Sequence, residues 1–539
     1  MNKSDPPSGV IPDARPPGRA SRDRNASERG SVRIPDSRSR GFQDGSAGDE
    51  AGGLHVGRRR VLAAAVAVSA GAVLLGAALA QGPAFEPNAA VELTPVIPAD
   101  VDPAIRDSLM ERGDLLLAHR LFERQQWQAF VAMNWPVDAG GAALPALGDD
   151  GDPAWTRWIE TYQVFKPGGA DPDPWDSDGR SLPLADAVQE VLPSQAGPTA
   201  YPAVDSGNAR VLHNLSSIGK VNVADEVDQA FSFAVFDQNG AAVHYESLIN
   251  KVEYDFIVEN RLYEAGGIAD YVAKEGALTF PAGRFEGNVP GAIEIKLAWR
   301  ILDPSTDDFS RYLTQPAYVV SGPGKLAWKA VTAGLVGFHI AQKTETSPQW
   351  IWSTFEHVDN LATDRLTSIT TEDGTTRRLT PSFNDPYCEW CPVNVPTEPG
   401  PDGLRRTQVQ RLVPIPPETA ALNRQMQEAL AAQGSKLAYY EMIGVQWPTL
   451  PQDPPEAGAA FPGAVINTSG GVPLKAYLAN SVMETFAQAG NMPANRQPRS
   501  VSTSDELVFG TGSCIGCHGS SPYDFSWIVT KAQRRAGER

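Results

Sequence analysis

The chain has 539 residues, 20% charged and 42% hydrophobic, with 45 prolines, four cysteines and a formal net charge of −18. That length buries one large core or two ordinary ones, and the apolar content is too low for a multi-span membrane protein. Residues 1–60 hold 12 Lys/Arg against 8 Asp/Glu, a surplus of four positive charges, and residues 61–80 hold none, so by difference the rest carries −22; so acidic a body excludes nucleic acid as a partner, because affinity for a phosphate backbone comes largely from Lys and Arg.

Residues 1–57 are rich in Pro, Gly, Ser, Arg and Asp and show neither a helical nor a strand period. They bury too little apolar area to offset chain entropy and read as a disordered extension. Residues 58–80 combine Arg58-Arg59-Arg60 with an uncharged run that ends on small residues at Ala78 and Ala80. That pattern predicts a signal peptide cleaved after Ala80. The alternative is a single N-terminal membrane anchor, since 20 residues at ~1.5 Å each span a bilayer core of ~30 Å. Gly57-Arg58-Arg59-Arg60-Val61-Leu62 also resembles a twin-arginine export signal. Under each alternative the acidic body is expected in the periplasm or at the outer face of the cytoplasmic membrane.

Residues 81–391 predict an α+β body. Ile105–Met133 reads as helix; Phe231–Phe236, the turn signal Asp237-Gln238-Asn239-Gly240 and Ala242–Ile249 read as a β-hairpin; Val252–Tyr263 is again helical. From 293 to 301 Ile293, Ile295, Leu297, Trp299 and Ile301 alternate with Glu294, Lys296 and Arg300, the pattern of a half-buried strand. Two further strands are expected at Gly334–Lys343 and Gln349–Phe355. The proline-rich stretch 392–417 marks a seam between domains or between a body and a cap. Residues 418–539 predict a helical segment, with Glu418–Gln433 and Ala476–Ala489 each placing apolar residues four apart and each followed by glycine. The fold class is α+β, with a β-rich middle and helical N- and C-terminal parts.

The four cysteines form two C-x-x-C pairs, and the second is followed at once by histidine: Cys514-Ile515-Gly516-Cys517-His518. Two thiols at this spacing add across the two vinyl groups of a haem, and the adjoining imidazole then lies close enough to bind the iron. The expectation is one covalent haem c on Cys514 and Cys517 with His518 as the proximal iron ligand; the alternative is a disulfide or thiol pair beside a coincidental histidine. Through SCIGCHG (513–519) the chain resembles c-type cytochromes. It departs from the small cytochrome c order, in which a methionine ligand follows the motif, because neither Met nor His occurs after His518. The phrases FVAMNWP (130–136), QWIWSTFEHVDN (349–360) and YDFSW (523–527), taken with SCIGCHG, resemble a family of large exported bacterial monohaem proteins without established activity. That resemblance implies a haem seated against the main body.

A sixth iron ligand would then come from upstream. His339 sits in GLVGFHIAQK, where Gly334 and Gly337 would let a planar ring approach, and His357 sits among Trp350, Trp352, Glu356 and Asp359; each is otherwise a structural histidine. Met492, in Gly490-Asn491-Met492-Pro493, is the third candidate, or a residue covering the haem edge. Cys388-Glu389-Trp390-Cys391 has no following histidine; a local disulfide is expected, with a redox dithiol and a metal site as alternatives. The expected function is electron transfer with a redox partner protein or a small-molecule oxidant. The alternatives are a haem peroxidase or oxygenase with an open distal site, and a haem-based gas sensor.

Overall fold

A computed structural model describes residues 85–175, 210–213, 233–321, 327–361, 368–370, 376–378, 380–388, 391–448, 473–474, 477–486, 488, 513–519, 521–535 and 537. All of them belong to one unit, Ala77–Arg539. The extension 1–57, the 58–80 segment and Met492 lie outside the described residues. Among the described residues no helix is long and apolar enough to cross a membrane.

The helix expected over 105–133 is two helices. Helix α1 (Pro103–Glu111) starts where the Asp102 side chain accepts from the Ala104 and Ile105 amides at 2.8 and 3.2 Å, with Pro103 in the first turn. It stops at Gly113, whose φ of 74° only glycine adopts cheaply, and α2 (Leu115–Met133) then begins. One face of α2 buries Phe122, Trp127 and Phe130 against the sheet, with Phe130 stacked on Phe355 at 4.1 Å between ring centroids. Each such ring contributes about 1.5–3 kcal/mol by leaving water.

The sheet has nine strands: β1 (Ile159–Glu160), β2 (Arg210–His213), β3 (His244–Ile249), β4 (Ile293–Ile301), β5 (Thr314–Ser321), β6 (Ala327–Gln342), β7 (Ile351–His357), β8 (Tyr440–Pro448) and β9 (Pro473–Leu474). Its main path runs β9-β8-β7-β6-β4-β3-β1, with β5 pairing β6 and β2; every pair is antiparallel except β2–β5. The mixture of this sheet with helices makes the class α+β, as expected. Helices α3 (Lys251–Glu259) and α4 (Ala265–Glu275) follow β3, and α5 (Pro417–Ala432) joins α2 over the face carrying Ile293, Ile295, Leu297 and Trp299.

Several expectations are corrected. The predicted hairpin closes at its turn end only: the bridge Phe236–Ala242 is flanked by the Val243 amide donating to the Val235 carbonyl at 2.8 Å and the Asp237 amide to the Ala241 carbonyl at 2.9 Å, the outward groups of Phe236 bond Thr407, His244–Ile249 pairs with β4, and Phe231 and Ser232 lie outside the described residues. The proline-rich stretch is no seam. Its Arg411 pairs with Glu356 at 2.8 Å, the Val409 amide donates to the Phe383 carbonyl, and β8 beyond it pairs with β7 in the same sheet. Among the described residues of 418–539 helix is therefore joined by strand, since they supply β8 and β9. The helix expected over 476–489 is absent from 477–486, which run as coil and turns. Polar groups there are taken by β7 instead: Asn480 Nδ2 donates to Thr354 Oγ1 at 2.8 Å and the Ser481 amide to Glu356 Oε1 at 2.6 Å.

A cavity between the sheet and the C-x-x-C-H helix

The polar side of β4 does not face water. Strand register aligns Ser247, Lys296, His339 and Thr354 in one row across β3, β4, β6 and β7, and Ile249, Glu294, Ala341, Trp352 and Gln446 in the next row, which reaches β8. From these rows Ser247, Glu294, Lys296, His339, Ala341 and Trp352 line a cavity of about 460 Å³. Its opposite wall is Glu484, the short helix α6 (Cys514–His518) and residues 527–531. The volume lies within the usual range for a small-molecule site.

Helix α6 is one turn held by side chains of the body. Gln446 Nε2 donates to Ser513 Oγ at 2.8 Å, and Gln446 Oε1 accepts from the Ile515 amide at 3.0 Å. The Cys514 amide donates to the Leu478 carbonyl at 3.1 Å, and Ile515 is buried. Residues three apart in a helix share a face, and the Cys514 and Cys517 thiols, both free of disulfides, line the cavity together. Burial pushes the Cys517 thiol up to about 11, so it is protonated at neutral pH.

His518 is oriented by the carbonyl of Phe525, 2.8 Å from Nδ1. A nitrogen facing a carbonyl must carry the proton, which leaves the lone pair on Nε2. Burial holds the ring down to about 4, so the imidazole is neutral, the state in which it binds a metal. Trp352 packs on it at 4.1 Å between centroids. The carbonyl is aimed by an unusual stretch of backbone: Asp524 and Phe525 both have positive φ, 50° and 65°. For residues with a Cβ this costs about 1–2 kcal/mol each. The surroundings enforce it, since the Asp524 carboxylate accepts from Lys343 Nζ and from the Phe280 amide, both at 2.7 Å, and the Asp524 carbonyl accepts from Trp350 Nε1 at 2.8 Å.

Of the expected distal ligands, the structure brings His339 to the cavity and leaves His357 away from it. His339 Nε2 lies 3.0 Å from Glu484 Oε1, while Glu484 Oε2 accepts from the Asn480 amide at 2.7 Å. Burial penalises the Glu484 carboxylate, but His339 and Lys296 outweigh it and hold its pKa below the ordinary value. The same burial lowers Lys296. His357 is fully enclosed, stacked on Tyr312 at 3.9 Å, and both ring nitrogens are engaged: Nε2 with the Arg311 carbonyl at 3.0 Å, Nδ1 with the Asp359 amide at 3.1 Å. It is a core residue. Gly334 and Gly337 also serve packing rather than a planar ring. A Cβ on Gly334 would strike Leu302 at 2.8 Å, and one on Gly337 would meet Met483 and Val482 at 3.0 and 3.2 Å.

Away from the cavity, Cys388 and Cys391 are joined as a disulfide with Cα atoms 5.5 Å apart. Behind the cavity wall, Glu253 of α3 faces Glu294. Burial and the neighbouring Glu294 carboxylate raise the pKa of Glu253 well above the ordinary value, and burial raises that of Glu294 as well.

The expected group fits these residues: two thiols on one face, a neutral histidine with its lone pair directed by a hydrogen bond, and a cavity against them. Sequence reasoning missed Gln446, Glu484, Glu294 and Lys296. The last two carried a signal, as the polar half of an alternating strand, but alternation by itself assigns that half to solvent. Comparisons of the chain with family models, with curated proteins and with solved structures return no match.

Proposed function

We propose that the chain is an exported monohaem c-type protein that transfers electrons. The observation that carries the proposal is the joint placement of the Cys514 and Cys517 thiols and the directed, neutral His518 on one wall of the cavity. Cys514 and Cys517 would hold the porphyrin through thioether bonds and His518 Nε2 would bind the iron. The bound group would supply a one-electron iron couple. The chain supplies the rest: Gln446 and Leu478 hold the cysteines in register, the Phe525 carbonyl keeps the His518 ring turned, and Trp352 excludes water from it. Trp527, 37% exposed and donating to the Cys517 carbonyl at 3.3 Å, puts an aromatic ring at the cavity rim where a redox partner has access. Export is supported by the 58–80 pattern and by the Cys388–Cys391 disulfide, which persists in oxidising compartments.

A second reading, a haem-dependent peroxidase or oxygenase with an open distal position, is favoured by the ionisable lining of His339, Glu484 and Lys296. The test is expression in a host that attaches c-type haem. Wild type is expected to retain haem on a denaturing gel, and Cys514→Ala and Cys517→Ala each to lose covalent attachment at that thiol; unchanged retention in both variants would overturn the proposal. A six-coordinate low-spin spectrum inert to peroxide and carbon monoxide selects the electron carrier, and reaction with either selects the enzyme. His339→Ala is expected to alter the spectrum, whereas His357→Ala leaves it unchanged wherever the variant folds.

A further inference from the structure

We propose that the Glu253–Glu294 carboxyl pair is a proton-binding site that takes up a proton when the haem is reduced and releases it on oxidation. The inference rests on the haem assignment and deepens it. Glu253 lies in the first turn of α3, where its amide donates to Asn250 Oδ1 at 3.1 Å, and its side chain points inward with the residue at 0% exposure. Among the described residues neither of its carboxyl oxygens meets a donor, and Glu294 Oε1 has none either. The hydrogen-bonding group that the Glu253 carboxyl faces is the Glu294 carboxyl, which lines the cavity.

Two buried carboxyl groups that face each other resist being ionised together, so one of them has its pKa strongly raised, and the pair titrates as a unit. The charges facing it are few. From the C-terminal segment Lys531 and Ser526 favour the ionised form of Glu294, and Asp524 adds a negative charge to both glutamates. Asp524 is itself neutralised by Lys343, 2.7 Å away, and Lys531 donates to Thr161 Oγ1 at 3.0 Å. Lys531 is thus the cation that acts on the pair, on its Glu294 side, and the pair's proton occupancy answers to any charge that changes in the cavity. One electron arriving from a one-electron donor protein adds a negative charge there; one proton from solvent, entering past the exposed Thr530 at the rim, balances it on the pair. Oxidation returns both. Lys296, His339 and Glu484 also line the cavity, but Glu253 does not, so a substitution at Glu253 reports on the pair without touching the haem.

The experiment is a mediated redox titration of the haem-loaded full chain from about pH 5 to about pH 9. The midpoint potential of the wild type is expected to fall as pH rises, approaching over part of the range a tenfold change in the reduction equilibrium per pH unit, about 59 mV for a one-electron couple. Glu253→Gln and Glu294→Gln, each a neutral isostere of the protonated group, are expected to flatten that slope. The infrared spectrum of the haem-free chain supplies a second measurement: a protonated-carboxyl stretch present at neutral pH in the wild type and missing from Glu253→Gln. A potential independent of pH in haem-loaded wild type, a wild-type slope kept by both variants, or no protonated-carboxyl band overturns the proposal and leaves the haem assignment standing. A chain that carries no covalent haem fails the assignment itself, and the proposal falls with it.

Discussion

Replacing Asp524 by Asn tests whether a buried ion pair holds the loop that aims the Phe525 carbonyl at His518. The Asp524 and Lys343 side chains are 5% and 3% exposed and 2.7 Å apart. Asn keeps the size and one acceptor, so the Phe280 amide remains bonded, and only the charge is removed. Lys343 is then left in place with the Pro348 carbonyl at 2.8 Å and the Trp350 ring at 6.0 Å, neither of which neutralises an ammonium. Removing one partner of a buried pair costs about 3–5 kcal/mol, against at most about 1 kcal/mol for an exposed pair. Lys343→Met removes the other partner, and Lys343→Met with Asp524→Asn removes both charges; the double variant should lose at least about 2 kcal/mol less than the sum of the singles. Urea unfolding followed by tryptophan fluorescence measures all four proteins, with equal m-values confirming the same transition. The loop is held less firmly once the Lys343 pair is lost, so the yield of covalent haem in Asp524→Asn should fall too. A loss below about 1 kcal/mol in Asp524→Asn, or a double variant equal to the sum, would refute the argument.

Two other outcomes follow from the geometry. His357 is held down to about 4 by burial against an ordinary value of 6.5, so the unfolded chain takes up a proton that the folded chain refuses as pH falls between those values. This contribution to stability is full above about pH 6.5 and is lost toward pH 4; at ~1.36 kcal/mol per pKa unit the loss is roughly 3 kcal/mol. The stability gap between wild type and His357→Gln should therefore narrow by that amount between neutral pH and about pH 4, and a gap constant with pH would rule the explanation out. Gln446→Leu strands the Ile515 amide, at a cost of about 1–3 kcal/mol when buried and unpaired, and leaves Ser513 Oγ with the Leu478 amide as its remaining partner. It should lower both the unfolding free energy and the fraction of chain with covalent haem on a denaturing gel, whereas an equal haem yield would show that α6 is held by its other contacts.

The local geometry of the C-x-x-C-H motif is legible in the sequence because it depends on spacing alone: Cys514, Cys517 and His518 fall within a single helical turn whatever surrounds them. The strand 293–301 was legible for the same reason, since alternation is a local property, and so was the helix at 417–432, from its four-residue spacing. Alternation reports that a strand has two unlike faces; it does not report what covers the polar one. Only the tertiary structure turns Glu294 and Lys296 into the wall of a cavity, by laying α6 and the 521–535 stretch over a face that a half-buried strand would leave to water. The same limit explains the missing helix at 477–486. Leu478, Val482 and Phe486 have the right period, but Asn480 and Ser481 find better partners in Thr354 and Glu356, which are more than a hundred residues away in the chain. His339 and His357 were equal candidates while only their neighbours in sequence were known. What separates them is which side of the sheet's contacts they reach: one meets Glu484 across a cavity, and the other spends both nitrogens on backbone groups brought to it by folding.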